Sequence, residues 1–344
     1  MIISQVKEKL FQRYLIWLCR PARLRRHLSA TLPAPASPVA VDRRRIRVAA
    51  LQVELKLFKN PLDYADEAHR RVSEAAAAGA QIVVFPEYNN LPLFGMLPGI
   101  DKMENAYQNT ADHASKNSSS GPAISLADIF SFMTPAVKPF IHELYSSLAS
   151  AYGLYIMAGS YTLADGDRVV NRAFLYGPDG KLTGSQDKVH LLPVEVEWRL
   201  KRGSSLAGFE TPLGRLAMPV CMDATYYETF RILEKQGVDI ALLPIANLEA
   251  YNYWLALRGI WPRVQESALY GVKSALVGSV AGFTFTGRAG IFAPLELTPN
   301  RDGVMAEVHH FDREAIAVAD LNLEDLHNLR HDHPWRDHNP NLKR

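Results

Sequence analysis

Residues 62–87 read LDYADEAHRRVSEAAAAGAQIVVFPE, and this stretch decides the class of fold. Leu62–Ala78 is rich in alanine and predicts a helix that ends at Gly79. Gln81–Phe85 is a short apolar run of the kind that forms buried strands. A helix followed at once by a buried strand is the repeating unit of layered α/β proteins.

The same alternation of strands and helices continues on both sides of this stretch. Because no linker-like pause occurs between Arg47 and Leu323, we expect one large domain over residues 44–325. It would follow a basic arm over residues 1–43 and precede a His-rich tail over residues 326–344. Apolar runs predict strands at 46–53, 154–161, 172–176, 216–220, 239–244, 272–279, 289–293, 304–309 and 316–321, and helices at 135–152, 224–236 and 255–269.

Residues 91–134 break this pattern. The segment contains the run Asn117-Ser-Ser-Ser-Gly-Pro122 and shows little periodicity. A long excursion directly after a strand end is more often a site-shaping loop than a random insertion. We therefore expect residues 91–134, together with residues 247–262, to form the pocket that selects the substrate.

Charge is distributed unevenly along the chain. The formal net charge is only +2, but residues 1–47 hold eleven Lys or Arg against Glu8 and Asp42, a local charge of +9. The remainder of the chain therefore carries −7. The body of the protein has no basic surface that would suit a nucleic acid, so we expect no nucleic-acid partner.

Cysteine content and hydropathy indicate the cell compartment. Cys19 and Cys221 are the two cysteines, too few for a disulfide framework, and neither belongs to a CxxC or Cys/His zinc motif. No apolar run reaches the roughly 18–20 residues that cross a bilayer. We expect a cytoplasmic protein, with peripheral contact on the inner membrane surface as an open alternative.

The N-terminal arm has an amphipathic pattern. Residues 1–28 predict a helix with Ile3, Val6, Leu10, Phe11, Tyr14, Leu15, Trp17 and Leu18 on one broad face. A Pro-rich linker follows at residues 31–38. Three interpretations stay open: an anchor on an anionic membrane, an arm that packs on another subunit, and an Arg-rich targeting segment.

Three side chains that could do chemistry lie in the same strand-rich pattern. Glu87 ends an apolar strand, where the ligand crevice of an α/β sheet lies and where a raised pKa suits a general base. Lys188 could stabilise negative charge on a reacting carbonyl. Cys221 follows a predicted strand at a turn into a helix, a position that favours a thiolate nucleophile. Each has a structural alternative by itself, but the ordered set of three indicates nucleophilic catalysis.

At these residues the sequence resembles the nitrilase or carbon–nitrogen hydrolase superfamily, over residues 47–325. Phe85-Pro-Glu87 is similar to its glutamate motif, Lys188-Val-His-Leu191 to its lysine motif and Cys221-Met-Asp223 to its cysteine motif. Tyr227 departs from the family pattern, in which proline is usual, and this loosens the prediction of the turn after Cys221. Further similarity lies at Glu228, Arg231, Arg263–Glu266, Gly278 and Gly287–Pro294.

The resemblance implies a fold and a mechanism. The fold would be a four-layer α-β-β-α sandwich in a homo-oligomer, usually a dimer formed through helices beside the active site. Glu87 would deprotonate Cys221, which attacks the carbonyl carbon, while Lys188 and the backbone N–H of Met222 stabilise the oxyanion. A thioester would form and be hydrolysed, and this chemistry needs no metal or organic cofactor.

The resemblance also implies a second glutamate that orients the lysine. Glu195 and Glu197 are the candidates, and the spacing of Pro193-Val-Glu195 favours Glu195. Met222 and Asp223 after the cysteine resemble the amidase branches rather than the nitrile-cleaving branch. We therefore expect a hydrolase of small amides or N-carbamoyl compounds.

Other functions remain as alternatives. A nitrilase, an acyltransferase that passes the thioester to an amine, and a membrane-docked binding protein without activity would each suit part of the sequence. His190 could replace Glu87 as the base but is better interpreted as structural. The His331-Asp-His333 pair in the tail predicts at most adventitious metal binding.

Overall fold

The computed structural model describes residues 2–35, 41–100, 125–280 and 282–332. Its strands are β1 (Ile46–Glu54), β2 (Ile82–Val84), β3 (Tyr155–Asp165), β4 (Arg168–Tyr176), β5 (Leu182–Asp187), β6 (Gly208–Thr211), β7 (Gly214–Ala217), β8 (Ile240–Ile245), β9 (Tyr270–Val280), β10 (Phe283–Phe285), β11 (Gly290–Phe292), β12 (Val304–Glu307) and β13 (Ala315–Leu321). Its helices are α1 (Ile2–Leu18), α2 (Pro21–Leu28), α3 (Pro61–Ala77), α4 (Leu126–Tyr152), α5 (Pro193–Glu197), α6 (Tyr227–Lys235), α7 (Tyr253–Leu257), α8 (Ile260–Ser267) and α9 (Leu323–Asp332).

Strand pairing produces two halves joined through β1. One half has the order β5-β4-β3-β2-β1-β13, and the other has the order β6-β7-β8-β9-β11-β12. Residues 48–50 of β1 pair in parallel with β2, and residues 52–54 pair in parallel with β9. The short strand β10 forms an antiparallel pair with β9.

The structure has four layers, because successive side chains of each strand point to opposite faces of its sheet. Val48 and Ala50 of β1 share one buried cluster with Ile240 and Val272 of the other half, which places them between the two sheets. Ala49 points the opposite way and packs in the cluster that contains α3 and α4. The second sheet is covered in the same manner by α6 and α8. This architecture confirms the predicted α-β-β-α sandwich.

Helix α4 begins earlier than the sequence pattern predicted. It starts at Leu126 rather than at Pro135, so Pro135 and Pro139 lie inside the helix. A capping box sets the start, because Ser125 Oγ accepts from the N–H of Asp128 and the Asp128 carboxylate accepts from the N–H of Ser125. Burial of one whole side of α4 in the core outweighs the backbone hydrogen bonds that the two prolines remove.

The predicted helix over residues 1–28 is two helices. Pro21 occupies the first turn of α2, and its missing N–H and its ring prevent α1 from continuing. Leu15, Leu18 and Leu24 are buried in the core cluster that contains α4. The arm therefore packs on its own domain. Within the described ranges, none of the helices combines the length and apolar composition that crossing a bilayer requires.

The C-terminal helix α9 also packs on the domain. Arg330 donates to Asp239 Oδ1 at 2.8 Å and to the carbonyl oxygen of Ala268 at 2.8 Å, and Leu326 is buried. The helix crosses the predicted boundary at residue 325. His333 of the histidine pair and residues 101–124 of the predicted loop lie outside the described residues.

Candidate active site

Glu87 follows the end of β2 and is fully buried. The next residue, Tyr88, adopts a positive φ of 54°. Strand β3 approaches this turn closely at Gly159, where an added Cβ would lie 2.1 Å from the carbonyl oxygen of Pro86. Gly159 has a φ of +80°, so a glycine satisfies both the backbone conformation and the close approach. Backbone packing from two strands therefore fixes the position of the Glu87 carboxylate.

Lys188 follows β5 and is also fully buried. Its Nζ donates to Glu87 Oε1 at 2.8 Å and lies 2.8 Å from Glu195 Oε2. Burial alone would lower the pKa of Lys188, but the charges of Glu87, Cys221 and Glu195 outweigh it and raise that pKa. The side chain is therefore a fixed ammonium ion between two carboxylates.

Glu195, rather than Glu197, lies in this cluster. The Glu195 carboxylate is buried, accepts from the N–H of Leu192 at 2.8 Å and accepts a short hydrogen bond from the Tyr88 hydroxyl. Glu197 is exposed. Because Glu195 is the third residue of α5, its bond to the N–H of Leu192 also caps that helix and orients the carboxylate.

Two members of the cluster were missed by sequence reasoning. Asn171 in β4 donates from Nδ2 to Glu87 Oε1 at 2.9 Å and to Glu195 Oε1 at 3.4 Å. Tyr88 bonds Glu195 through its hydroxyl. The sequence signal for Asn171 was limited to a polar residue between Val170 and Arg172, which does not show what the amide contacts.

Cys221 lies at a strained turn beyond β7. It has a positive φ of 44°, which is uncommon for a residue with a side chain. Its Sγ lies 3.7 Å from Asn247 Oδ1. A 3₁₀ turn over Cys221–Thr225 follows, and α6 begins only at Tyr227. The helix predicted over residues 224–236 is therefore present but begins three residues later than expected.

The resting thiol also differs from the expectation of a thiolate. Burial raises the pKa of Cys221, and the Glu87 carboxylate raises it further, whereas Lys188 lowers it. Glu87, Lys188 and Cys221 all influence each other's pKa, since the fold brings the three predicted side chains into one site. Two carboxylates already face one ammonium, so an additional thiolate would leave uncompensated negative charge in a buried region.

The Asp223 carboxylate connects the turn at Cys221 to the loop that follows Lys188. This buried carboxylate accepts from the N–H groups of Val189, His190 and Val220, the shortest of these bonds being 2.7 Å to His190. The His190 ring lies 3.0 Å from the same carboxylate and stacks on Tyr226. These contacts support the structural interpretation of His190 and hold the two loops in register.

A cavity of about 330 Å³ opens beside the sulfur. Cys221 and Met222 line it, together with residues of the segment 247–260 that the sequence indicated as pocket-forming. Lys273 of β9 also lines this cavity. Its volume is near the lower limit for small-molecule sites, so the cavity suits a compact substrate.

The four-layer sandwich and a cysteine beside a buried carboxylate–ammonium cluster are the fold and site that the sequence resemblance implied. The chain belongs to the carbon–nitrogen hydrolase family, whose sequence model matches residues 47–330. This match confirms the predicted superfamily.

Individual relatives are distant. The chain is 25% identical over 290 residues to the probable hydrolase YhcX of Bacillus subtilis, covering 83% of this chain and 51% of that protein. It is 23% identical over 299 residues to the omega-amidase NIT2 of Homo sapiens, covering 84% of this chain and 92% of that protein. The chain thus spans about half the length of the Bacillus relative and nearly all of the human one.

Solved structures show the same fold. An amidase from Nesterenkonia sp. aligns with 86% of this chain and 98% of its own, with a TM-score of 0.59 and 19% sequence identity. At this identity the likeness establishes the architecture, and the chemistry depends on the residues of the site itself.

Proposed function

We propose that the protein hydrolyses the carbon–nitrogen bond of a small amide or N-carbamoyl compound through a thioester on Cys221. One observation carries this proposal: Cys221 lines the cavity, and the buried Glu87 and Lys188 interact electrostatically with its thiol. Of the three, Cys221 lines the cavity, whereas the general base and the cation are fully buried and act on its thiol from within the protein.

The reaction would proceed in two halves. Glu87 takes the thiol proton as Sγ attacks the carbonyl carbon, and Lys188 with the N–H of Met222 stabilises the oxyanion. Glu87 then gives this proton to the leaving amine as the carbon–nitrogen bond breaks, which leaves a thioester. Glu87 next takes a proton from water, whose hydroxide attacks the thioester. The acid departs, and the returned proton restores the thiol.

The electrostatics of the cluster support Glu87 as the base. Burial raises the pKa of Glu87, and Glu195 adds to this, while Lys188 opposes both. A carboxylate with a raised pKa is a better proton acceptor than an exposed glutamate. Glu195 then has a positioning role, because it holds Lys188 through Oε1 and Oε2 and is itself held by the N–H of Leu192.

A substrate panel tests the proposed reaction. We expect ammonia release from butyramide or from an N-carbamoyl amino acid, and little or none from butyronitrile at equal concentration, since the residues after the cysteine resemble amidase branches. Ammonia is measured by coupled enzymatic assay, with heat-denatured protein as control. Release from the nitrile alone would favour the nitrilase alternative, and no release from any compound would favour the binding-protein alternative.

Acyl transfer is separated from hydrolysis by adding hydroxylamine. A hydrolase gives mainly the acid, whereas an acyltransferase gives mainly the hydroxamate, and mass spectrometry distinguishes the two products. A hydroxamate as the main product at low hydroxylamine concentration would support transfer to an amine.

We also propose that the N-terminal arm contacts an anionic membrane. The packed helix α1 leaves Val6, Leu10, Tyr14 and Trp17 between 50% and 58% exposed, in one stripe on its outer side. The exposed basic residues Lys7, Lys9 and Arg13 flank this stripe. An apolar stripe bordered by cations suits the interface of an anionic lipid surface.

Vesicle flotation tests this contact. We expect the protein to float with vesicles of phosphatidylcholine and phosphatidylserine, and the L10S/W17S variant to bind at least about tenfold more weakly, because two apolar anchors are lost. W254S is the matched control, since Trp254 is 76% exposed on another helix. Equal flotation of the double variant, or none of the parent protein, contradicts the proposal.

Cytoplasmic location and homo-oligomeric assembly stay predictions. Size-exclusion chromatography with light scattering would measure the assembly, and a single monomer mass at micromolar concentration would contradict it.

A further inference from the structure

The two buried carboxylates of the active-site cluster are hydrogen-bonded unequally. Both oxygens of Glu195 are occupied, Oε1 by the Tyr88 hydroxyl and by Lys188 Nζ at 3.0 Å, and Oε2 by a backbone N–H at 2.8 Å. Glu87 Oε1 accepts from Lys188 at 2.8 Å and from Asn171 at 2.9 Å. Glu87 Oε2 is buried and has no hydrogen-bond partner among the described residues. Oε2 is therefore the carboxylate oxygen of this cluster that is free to take a proton.

The Asn171 amide makes none of its described hydrogen bonds to the rest of the fold. The side chain is fully buried in β4, and Nδ2 donates to Glu87 and, at 3.4 Å, to Glu195. Its Oδ1 has no partner within the part of the chain that the structure describes. A buried acceptor without a partner is unfavourable, so an apolar side chain would suit the strand better. The amide thus serves the two carboxylates rather than the stability of the sheet.

The donors on Glu87 Oε1 make the two oxygens of this carboxylate different. Each carboxylate oxygen has about two lone-pair sites, and on Oε1 Lys188 takes one and Asn171 takes the other. A proton on Oε1 would have to displace one of these donors. A proton on Oε2 leaves both hydrogen bonds intact, whereas Lys188 by itself would leave one site on Oε1 open.

We infer that Asn171 is a positioning residue, which keeps Glu87 Oε1 occupied so that Oε2 exchanges the proton with the Cys221 thiol. In the first step the Sγ–H bond breaks and an Oε2–H bond forms, while Oε1 keeps its two donors. Oε2 then gives this proton to the leaving amine. The inference rests on the proposed amide hydrolysis, in which Glu87 is the base, and adds the atom that carries the proton and the residue that selects it.

The pH dependence of thiol alkylation tests this role without an amide substrate to hydrolyse. In the C19A background Cys221 is the one remaining cysteine of the chain, and its rate constant of alkylation by iodoacetamide is measured across a range of pH. We expect this rate constant to rise as Glu87 loses its proton and becomes able to accept the proton of the thiol.

N171L and N171A remove the second donor to Glu87 Oε1. A hydrogen bond to a carboxylate stabilises the ionised form, so its loss raises the pKa of Glu87. The rise in alkylation should move to higher pH by about one unit, the scale of a hydrogen bond to a charged group. The charged groups that influence Glu87, namely Lys188, Glu195 and Cys221, are unchanged in these variants.

Gln52 supplies the matched control. Its amide is fully buried in β1 and donates to the carbonyl oxygens of His310 at 2.9 Å and Arg313 at 2.7 Å, outside the cluster. Q52M should lower the stability towards urea and leave the pH of the rise unchanged. An asparagine with a purely structural role would behave like this glutamine.

A rise at the parent pH in N171L and N171A overturns the inference. Loss of folded protein in both variants by circular dichroism, while Q52M folds, assigns Asn171 to the fold and also overturns it. A shifted rise in a protein that hydrolyses no amide of the panel supports the role of Asn171 and contradicts the proposed hydrolysis alone. Amide turnover together with an unshifted rise contradicts this inference alone.

Discussion

Replacing Cys221 by alanine is expected to lower kcat by about 10⁵-fold or more, because nothing else in the cavity can form the acyl intermediate. The neighbouring Asn247 amide and Asp223 carboxylate are poor nucleophiles, and Asp223 is occupied by three backbone N–H groups. The sulfur lies 3.7 Å from Asn247 Oδ1, a long hydrogen bond that adds little to the stability of the fold. Its removal should therefore leave the fold intact, with an unchanged circular dichroism spectrum.

The second cysteine supplies a matched control for this variant. Cys19 is 1% exposed in the arm, contacts Met96 and does not line the cavity, so a labelling reagent cannot reach its thiol. C19A should keep full turnover and full labelling of one thiol by iodoacetamide, whereas C221A should lose both. Residual turnover of C221A above about one per cent of the parent value would remove Cys221 from the role of nucleophile.

Sequence reasoning singled out Glu87, Lys188 and Cys221 as candidates because each belongs to a short local motif. It also favoured Glu195 over Glu197 by spacing, and the structure places Glu195 in the cluster. These residues are specified locally, by a strand end or a helix start. Their positions in the fold follow from this local sequence, provided that the strands are arranged as in the family.

The contacts of Asn171 could not be predicted from the sequence, because its partners are distant in the chain. Its amide meets Glu87 only because β4 pairs with β3, and β3 pairs with β2. Periodicity shows that a strand is buried, but it does not show which strand lies beside it. The same limit applies to Lys273. Its Nζ has no hydrogen-bond partner among the described residues, and only the folded structure shows this.

The arm shows a further limit of periodicity. The pattern grouped Val6, Leu10, Leu15 and Leu18 on one broad apolar face, but the structure divides them between a buried side and an exposed stripe. Hydrophobic spacing identifies the apolar face of a helix, but it does not show whether that face packs on the domain or stays exposed. Pro21 was readable as a helix break, because proline fits the first turn of a helix and is disfavoured in the interior unless packing compensates for it.

Replacing Lys188 by methionine is expected to damage both stability and turnover. The substitution keeps the length of the side chain but leaves Glu87 and Glu195 as buried carboxylates without their shared cation. Removing one partner of a buried ion pair typically lowers the free energy of unfolding by about 3–5 kcal/mol. Loss of the oxyanion contact should also lower kcat by about 10²–10³-fold. Urea unfolding and initial rates on the best substrate of the panel measure the two effects.

A double variant separates the structural effect from the catalytic one. In K188M/E195Q one of the two unpaired carboxylates becomes neutral, and its one remaining oxygen can accept either from Asn171 and Tyr88 or from the N–H of Leu192. We expect this change to recover part of the lost stability and none of the lost turnover, because Glu195 only positions the lysine. K201M, which removes an exposed lysine, should change neither quantity. Recovery of turnover together with stability would mean that Lys188 acts only as a structural ion, and the oxyanion would then need another source of stabilisation.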